Sequence, residues 1–380
     1  MKLTFEKYSN QKELWESINK EAKHSTFLTS IHWIEFQKTL GKEFDQYFVV
    51  LNLDGKKIEI GLLYFEIFRR KLQKYAYAPY QPVLIGEDLN DQEFEDVYTQ
   101  IQRFMQDYLF DNRLTLFRFD PLLPLEELQK LKNLNFKSSL APAQAKDVWE
   151  KNLEGSEDEL RSEMSDSTRH NVNKGSKSGI ELIKATTQQD VKAFATLMGE
   201  TTKRKGFGNY DYQYFKKQFE ELNPKNMMDI FLAKYQGKYV SGALINYYKD
   251  TAYYTHGAST SDRSLSKLRS PYFLQWEIMK YVKSQGFTKY NMWGIIPDSK
   301  RVEVKTQFIE EEQTKLQKVL KMLPWNKPKK PNPLQGVSDF KRSFGGYEIQ
   351  YVGPVETYNE FGKYLIHKAI DWFVYRKDRY

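Results

Sequence analysis

Two stretches of the chain share one pattern, QYFVVLNLDGKKIEIGLLYF at residues 46–65 and MDIFLAKYQGKYVSGALINYY at residues 228–248. In each, two runs rich in β-branched and aromatic residues flank a short Gly-containing turn, which predicts a β-hairpin. A single glycine, Gly61 or Gly242, stands at the matching place in each second strand. A glycine inside a strand indicates a bulge or a close approach of another backbone.

The flanks of the two hairpins repeat one order of elements. Two predicted helices precede each hairpin, and a strand, a long helix and a closing strand follow it. A duplicated α-α-β-β-β-α-β unit explains this order, which resembles that of the acetyltransferase-like (GNAT) α+β fold. The expected fold class is therefore α+β, with two tandem GNAT-like domains whose mixed sheets are flanked by helices. The predicted ranges are 10–22, 30–40, 72–78, 91–110 and 113–120, then 191–205, 211–221, 250–258, 268–285 and 288–294.

The repeat predicts where the domains begin and end. The first domain is expected over residues 1–155 and the second over 156–350, with an insertion at 299–335 that contains a basic, proline-rich run. Residues 351–380 are predicted to form a C-terminal strand and helix that pack back on the first domain. The helix is expected over 357–379, and it is aromatic on one side.

Composition limits the classes of function. The chain has 380 residues and a net charge of +8, from 58 basic and 50 acidic residues. Such an excess suits nucleic acid, phosphorylated small molecules or an acidic lipid surface, and it is equally common in basic proteins that bind none of these. Cysteine is absent and the five histidines show no HxH or HxxxH spacing, so thiolate catalysis and a histidine metal site are not expected. Without an apolar run of about 18 residues or a signal peptide, the protein is predicted to be cytoplasmic.

Several common catalytic signatures are missing from the sequence. It contains no GxSxG, GxxxxGK[ST], GxGxxG or HExxH motif in a suitable context. The pyrophosphate loop of CoA-dependent acetyltransferases, an Arg/Gln-x-x-Gly-x-Gly/Ala run that opens a helix, is missing too. A CoA-using enzyme is therefore less attractive than the fold alone would suggest.

Four segments stand out when they are read together. They are FLTSIHWIEFQKTLG at 27–41, TTKRKGF at 201–207, AYYTHGAS at 252–259 and GVSDFKRSFGG at 336–346. The ordered set resembles the Fem family of peptidoglycan-bridge aminoacyltransferases (the FemA, FemB, FemX and MurM-like proteins) from about residue 25 to 365. The last segment, together with the strand end Trp-Gly-Ile, is the most specific part of the resemblance.

The resemblance implies an activity and its partners. An aminoacyl-tRNA would be the donor, and the acceptor would be a stem-peptide amine of lipid II or of UDP-MurNAc-pentapeptide. The reaction is aminolysis of an ester, so it implies neither a metal nor another cofactor. A monomer is expected. The long coiled-coil arm of some members does not fit between Phe207 and Asp229, because too few residues separate them.

Lys341 is the first catalytic candidate that the resemblance implies. Attack by an amine turns the ester carbonyl into an oxyanion, and a fixed cation beside it lowers the barrier. Phe340 and Phe344 would hold the backbone around this lysine, and Gly345-Gly346 would allow a tight turn. On residue type alone, Lys341 would instead be a surface lysine beside a core hairpin.

Arg204, Thr202, Lys38 and Trp33 are the candidates for binding the substrate. Arg204 matches a diphosphate-binding arginine of the family, and a guanidinium pairs with phosphate in a bidentate way. Thr202 would add a hydroxyl donor. The family often has a lysine four residues after the tryptophan that Trp33 matches, and this chain has Gln37 there. Either the neighbouring Lys38 replaces that lysine, or the phosphate contact of the first domain is weaker. The alternative for Arg204 is a solvated basic stretch.

Asp120 and Tyr254 complete the candidate set. A carboxylate at the end of the predicted strand 113–120 could orient or deprotonate the attacking ammonium, because only a neutral amine attacks. A simple strand-end turn before Pro121 is an equal alternative. Tyr254 would stack on a sugar or donate to a phosphate, or else face the core.

Two other classes of function remain open. An acyl-CoA-dependent N-acyltransferase would use the same duplicated fold, and a non-catalytic protein would bind tRNA or a membrane with an inactive transferase fold. A peripheral membrane contact is predicted for the C-terminal helix, which ends in Arg376, Lys377 and Arg379. Such a contact would place the protein at the inner face of the membrane.

Overall fold

The computed structural model describes residues 2–70, 73–86, 89–139, 144–205, 208, 210–297 and 335–375. Apart from residue 335, the predicted insertion 299–335 lies outside these ranges. The described strands form two mixed sheets flanked by helices, as the fold-class prediction requires.

The first sheet has eight strands, seven of them in the spatial order β1-β2-β3-β4-β6-β15-β7, with β5 paired to β3. Its central pair, β4 and β6, runs parallel, whereas β2, β3 and β4 are antiparallel neighbours. The elements of the first half are β1 Lys2–Lys7, α1 Lys12–Glu21, α2 Ile31–Thr39, β2 Phe44–Leu53, β3 Lys56–Arg69, β4 Lys74–Pro79, β5 Val83–Leu84, α3 Asp91–Asp111, β6 Leu116–Asp120, α4 Leu128–Asn133 and β7 Lys137–Ser138.

The second sheet has seven strands in the order β14-β8-β13-β12-β11-β10-β9. Here the central parallel pair is β12 and β13. The elements of this half are β8 Asp147–Asn152, α5 Glu157–Ser162, α6 Asp166–Ser176, β9 Glu181–Lys184, α7 Gln188–Lys205, α8 Tyr212–Leu222, β10 Met228–Tyr235, β11 Lys238–Tyr248, β12 Thr251–Ser259, α9 Ser270–Ser284, β13 Lys289–Gly294, α10 Gln335–Arg342 and β14 Tyr347–Gln350.

Each repeated unit begins with a strand, β1 or β9, that the sequence analysis did not predict. β1 pairs with β2, and β9 pairs with β10, so both add an edge strand at the same place in the repeat. The duplicated unit is therefore β-α-α-β-β-β-α-β. Both predicted hairpins are present, and the glycines of their turns, Gly55 and Gly237, adopt positive φ angles of 80° and 78°.

The end of the chain returns to the first sheet. β15 (Val355–Tyr358) lies between β6 and β7, and α11 (Phe361–Tyr375) follows it. The prediction of a helix from residue 357 was wrong at its start, because residues 357 and 358 pair in β15. β8 lies in the second sheet although it precedes residue 155. The division of the chain at residues 155 and 350 stays a prediction.

An apolar cluster joins the two halves. Phe27, Phe36 and Tyr80 of the first half pack with Val191 and Phe194 of the second in one buried group. A polar contact lies nearby, where the Asn19 side chain bonds the Tyr248 hydroxyl. Because this interface is buried, residues at the facing ends of the two sheets are held in fixed relation.

Candidate functional site

The parallel strands β12 and β13 separate at their carboxyl ends. They pair only from Thr251–Lys289 to Tyr253–Asn291. β12 then continues to Ser259, while β13 ends at Gly294. Diverging parallel strands leave backbone groups unpaired at one edge of the sheet, which makes this edge a natural place for a ligand.

A backbone irregularity marks the end of β13. Trp293 has a φ of 65°, a left-handed conformation that is rare for a bulky residue. The pairing of β13 with β8 shifts between Asn291 and Gly294. The Asn291 side chain accepts a hydrogen bond of 2.9 Å from the Trp293 backbone N–H and so supports the bulge. Such strain is found preferentially at functional sites.

Lys341 lies at this irregular strand end. Its side chain reaches out of α10, is 7% exposed, and donates a hydrogen bond of 2.6 Å from Nζ to the Gly294 carbonyl. Burial lowers the pKa of Lys341 from 10.5 to about 7. No carboxylate of the described residues forms an ion pair with it. Lys341 is therefore buried, and the alternative of a surface lysine is wrong.

Neighbouring contacts hold α10 in place. The Ser338 hydroxyl accepts a hydrogen bond of 2.9 Å from the Ile296 backbone N–H. The ring of Phe340 packs edge-on against Phe344 and Tyr272, at 5.2 and 4.9 Å between centroids. Phe340 thus positions the backbone of its neighbour Lys341.

The two glycines after α10 meet a backbone that leaves no room for a side chain. A Cβ at Gly346 would lie 2.3 Å from the Glu150 carbonyl oxygen, and a Cβ at Gly345 would lie 2.7 Å from Glu163. Both glycines also have positive φ angles, 79° and 105° in chain order. Glycine is required here because α10 turns directly onto β8.

Asp120 occupies the carboxyl end of β6 in the first sheet. It is 3% exposed, and it accepts a short hydrogen bond from the Tyr77 hydroxyl. Burial raises the pKa of Asp120 to about 7, against the opposing effects of Tyr77 and of the Gln144 backbone N–H. Asp120 is thus a carboxyl group that changes its protonation state near neutral pH.

One short segment lies between the two catalytic candidates. The Gln144 backbone N–H donates a hydrogen bond to Asp120. A Cβ built at Gly294 would lie 3.0 Å from the Cβ of Ala145. Tyr80 donates a hydrogen bond of 2.8 Å to the Ala145 carbonyl. The carboxyl end of β6 therefore meets the strand end that holds Lys341.

Arg204 lies at the end of α7, against the end of β12. Its guanidinium donates to the Thr260 carbonyl at 3.1 Å and to the Ser259 hydroxyl at 2.9 Å. Thr202 behaves differently, because its hydroxyl donates to the Met198 carbonyl of its own helix at 3.0 Å. Thr201 is the threonine that reaches Ser259, at 3.0 Å. Arg204 thus remains at the same sheet edge as Lys341.

Aromatic side chains line the junction next to this edge. Trp33 packs edge-on against Phe27, with 5.0 Å between their centroids, and Phe27 lies 5.7 Å from Trp293. Trp293 also lies 6.0 Å from Tyr80 across the two halves. Trp33 is half-buried, and it connects to the site through Phe27.

Lys38 and Tyr254 occupy more separate positions. Lys38 is exposed on α2, and its ammonium bonds the Gln46 side chain. The Tyr254 hydroxyl lies over Gly257, where a Cβ would be only 1.7 Å away. Gly257 therefore makes room for Tyr254. The roles of both in binding a substrate stay predictions.

A buried polar network beside β13 was missed by the sequence analysis. Glu150 of β8 accepts hydrogen bonds of 3.1 Å from the Asn291 side chain and 2.9 Å from the Tyr347 hydroxyl. No motif distinguishes Glu150, because its position is set by the pairing of β8 with two strands that are distant in sequence. Among the described residues there is no cluster of His, Asp or Glu suited to a metal ion.

Comparisons with known proteins agree with this architecture. The model of the FemAB family matches residues 135–236 and 227–308. The crystal structure of FemX is similar over 96% of this chain and 100% of its own, with 18% identity and a TM-score of 0.73. No curated protein matches the chain.

Two further solved structures share the fold at lower similarity. A tandem GNAT protein from the clavulanic acid biosynthesis pathway matches 94% of this chain and 98% of its own, at 9% identity and a TM-score of 0.52. The C-terminal domain of a putative lysylphosphatidylglycerol synthetase from Agrobacterium fabrum matches 96% of each chain, at 14% identity and a TM-score of 0.51. The matched family model shows that residues 135–308 resemble the FemAB family, and the solved structures show that the chain shares their two-sheet fold.

Proposed function

We propose that the protein transfers an amino acid from aminoacyl-tRNA to the stem-peptide amine of a peptidoglycan precursor, lipid II or UDP-MurNAc-pentapeptide. The observation that carries this proposal is the buried ammonium of Lys341, fixed by the Gly294 carbonyl where β12 and β13 separate. In a chain that resembles the FemAB family over residues 135–308, a cation at this place suits the oxyanion of ester aminolysis.

The proposed reaction forms an amide bond and breaks the ester bond of the aminoacyl-tRNA. The acceptor amine attacks the ester carbonyl carbon, a C–N bond forms, and the carbonyl π electrons move to oxygen. When the oxyanion collapses, the ester C–O bond breaks and the tRNA hydroxyl leaves with a proton. Because the developing negative charge favours the protonated form of a neighbouring lysine, Lys341 becomes most fully charged at the step that needs it.

Asp120 is the proposed proton acceptor. The acceptor ammonium must lose one proton before it attacks, and a base is most effective when its pKa lies near the working pH. The pKa of Asp120 is raised by burial to about 7. Tyr77 holds this carboxylate by a hydrogen bond and so orients it.

The basic and aromatic residues around this edge are the proposed binding groups. Arg204 would pair with a phosphate of the acceptor or of the tRNA, since its guanidinium is fixed and partly exposed. Trp33 and Tyr254 would contact sugar or base, Lys38 would add a second cation, and Thr202 would support the end of α7. The net charge of +8 suits an RNA donor. We propose a cytoplasmic monomer that needs no metal or other cofactor.

The test is a transfer assay with separate donors. Purified protein is incubated with a mixture of radiolabelled aminoacyl-tRNAs and with either lipid II or its UDP-linked form, and labelled acyl-CoA is the parallel donor. We expect label from tRNA in at least one acceptor. Label from acyl-CoA alone would replace the proposal by an N-acyltransferase. Binding of tRNA without any transfer would favour the non-catalytic alternative.

A further inference from the structure

A buried carboxylate lies beside the irregular end of β13. Glu150 of β8 is 8% exposed, and it forms no ion pair with a cation of the described residues. Its two oxygens accept one hydrogen bond each, at 3.1 Å from the Asn291 side chain and at 2.9 Å from the Tyr347 hydroxyl. Burying a charge among neutral donors is costly, whereas a neutral glutamine would fill the same space. The negative charge at this place therefore calls for an explanation beyond packing.

The Glu150 carboxylate determines which way the Asn291 side chain points. A carboxylate only accepts hydrogen bonds, whereas an amide side chain has a donating nitrogen and an accepting oxygen. Asn291 therefore turns its nitrogen to Glu150, and its oxygen lies on the other side. A glutamine at residue 150 would impose no such orientation, because its side chain can donate as well as accept.

The Asn291 oxygen holds the bulge in β13. Between the pairs Asn291–Glu150 and Gly294–Val148, β13 contains one residue more than β8, so that Trp293 has no partner in this ladder. The Trp293 N–H instead donates to the Asn291 oxygen at 2.9 Å. A left-handed φ of 65° is unfavourable for so bulky a residue and persists only where the surroundings impose it.

The bulge carries the carbonyl that binds Lys341. Gly294 follows Trp293 directly, and its carbonyl accepts the hydrogen bond of 2.6 Å from Lys341 Nζ. Because peptide groups are planar, a change in the φ angle of Trp293 would reorient the peptide groups that follow it and move this acceptor. A line of hydrogen bonds therefore connects Glu150 to Lys341 through the bulge.

We propose that Glu150 is a positioning residue for the transfer reaction. Its charge orients Asn291, which holds the bulge, and the bulge holds the Lys341 ammonium at the oxyanion site. Glu150 itself contacts Asn291 and Tyr347 and is assigned no contact with the reacting atoms. The inference rests on the proposed function, because it gives Glu150 a task in that reaction.

Moving the negative charge from residue 150 to residue 291 tests the proposal. Glu150→Gln removes the group that only accepts, and Asn291→Asp sets one carboxylate against another, so each single variant should loosen the bulge. The double variant pairs a donating amide at residue 150 with a carboxylate at residue 291 that still accepts the Trp293 N–H. It should therefore restore the bulge. Glu181→Gln, at an exposed position of β9 in the same sheet, is the control for the loss of a charge.

The first measurement is the single-turnover rate of transfer at saturating aminoacyl-tRNA and precursor. Each single variant should be about tenfold or more slower than wild type, with an unchanged half-saturating concentration of tRNA. The double variant and Glu181→Gln should lie within about threefold of wild type. In a Lys341→Met background, Glu150→Gln should change the rate by less than about twofold, because the lysine that it positions is gone.

The second measurement observes the bulge without any reaction. Fluorine NMR of protein labelled with fluorotryptophan gives a resonance for Trp293, which is assigned by its loss in Trp293→Phe. Both single variants should shift this resonance, and the double variant should return it to the wild-type position. Circular dichroism and the thermal midpoint verify that each variant is folded.

Three results would overturn the proposal. One is a pair of single variants that transfer at the wild-type rate, and another is a double variant as slow as the slower single variant. The third is an equal loss from Glu150→Gln in the wild-type and Lys341→Met backgrounds, because Glu150 would then act on the fold and not on Lys341. Wild-type protein without any transfer would refute the proposed function. A Trp293 resonance that neither single variant moves would refute the hold on the bulge alone.

Discussion

Replacing Lys341 by Met should change how the stability of the protein depends on pH. Burial lowers the pKa of this lysine from 10.5 to about 7. Between these pH values the unfolded chain binds a proton that the native chain does not, so stability rises with pH. The native protein has its full stability above pH 10.5, where Lys341 is neutral in the folded and the unfolded chain. It loses this stability as the pH falls through about 7. Methionine cannot bind a proton, so the variant should lack this dependence.

The magnitude follows from the two pKa values. A difference of about 3.5 units, at about 1.4 kcal/mol per unit, corresponds to roughly 5 kcal/mol at the acidic limit. Between about pH 6 and about pH 9, the same values predict a change of about 2–3 kcal/mol. Lys341→Met should therefore gain this much stability relative to wild type when the pH is lowered from 9 to 6.

Urea unfolding followed by tryptophan fluorescence measures the effect. The free energies of unfolding of wild type and Lys341→Met are measured at both pH values. The result is the change, from pH 9 to pH 6, in the difference between the two proteins. Lys192→Met, at an exposed position of α7, is the matched control and should follow wild type at both. Equal pH dependence of Lys341→Met and wild type would refute the conclusion that this lysine is buried without a counter-charge.

Three other variants test parts of the structure. Gly346→Ala should destabilise the protein by about 2 kcal/mol or more, measured by urea unfolding, because its Cβ would lie 2.3 Å from the Glu150 carbonyl oxygen. Asp371→Ala should cost about 3 kcal/mol in the same assay, because it leaves part of the Arg118 charge buried and unpaired. Burial raises the pKa of Asp120 to about 7, so the wild-type protein should lose stability as the pH rises from about 4 to about 7. Asp120→Asn should lose less stability over the same rise in pH, because asparagine does not ionise.

Each of these variants has a control. Gly336→Ala lies in α10 with no atom within 4 Å of its Cβ, so it should be neutral or slightly stabilising. Asp111→Ala and Asp54→Asn are at exposed positions and should change stability by less than about 0.5 kcal/mol. A Gly346→Ala protein as stable as Gly336→Ala would contradict the close approach of α10 to β8. An Asp120→Asn protein with wild-type pH dependence would contradict the burial of Asp120.

The duplicated core could be predicted from the sequence because its signals are local. Alternating and β-branched runs around Gly55 and Gly237 define both hairpins, and the helices on either side follow a period of 3.6 residues. The missed strands β1 and β9 are short edge strands rich in charged residues. Their pairing partners lie far along the chain, so no local pattern distinguishes them from loops.

The sequence could not predict the environment of the candidate residues. Thr201 and Thr202 are adjacent, but the rotation of about 100° per helical residue turns one hydroxyl to Ser259 and the other to its own helix. The first helix was predicted from residue 10, but Asn10 has a φ of 94° and α1 begins at Lys12. Such details depend on tertiary packing.

Lys341 illustrates the same limit at the site. Its residue type favours the surface, and only the resemblance to the Fem family identified it as a candidate. The structure adds the physical reason, because the bulge at Trp293 and the end of β13 at Gly294 provide the carbonyl that this ammonium needs in a buried place. No propensity scale predicts a left-handed tryptophan.

The most direct test of the account is the rate of aminoacyl transfer from tRNA to the precursor in single turnovers by Lys341→Met. Loss of one oxyanion donor typically costs about 100- to 1,000-fold in rate, and we expect a decrease in this range with the fold intact. The control Lys192→Met should keep the wild-type rate. A Lys341→Met enzyme within about twofold of wild type would contradict the assignment of the oxyanion site to Lys341.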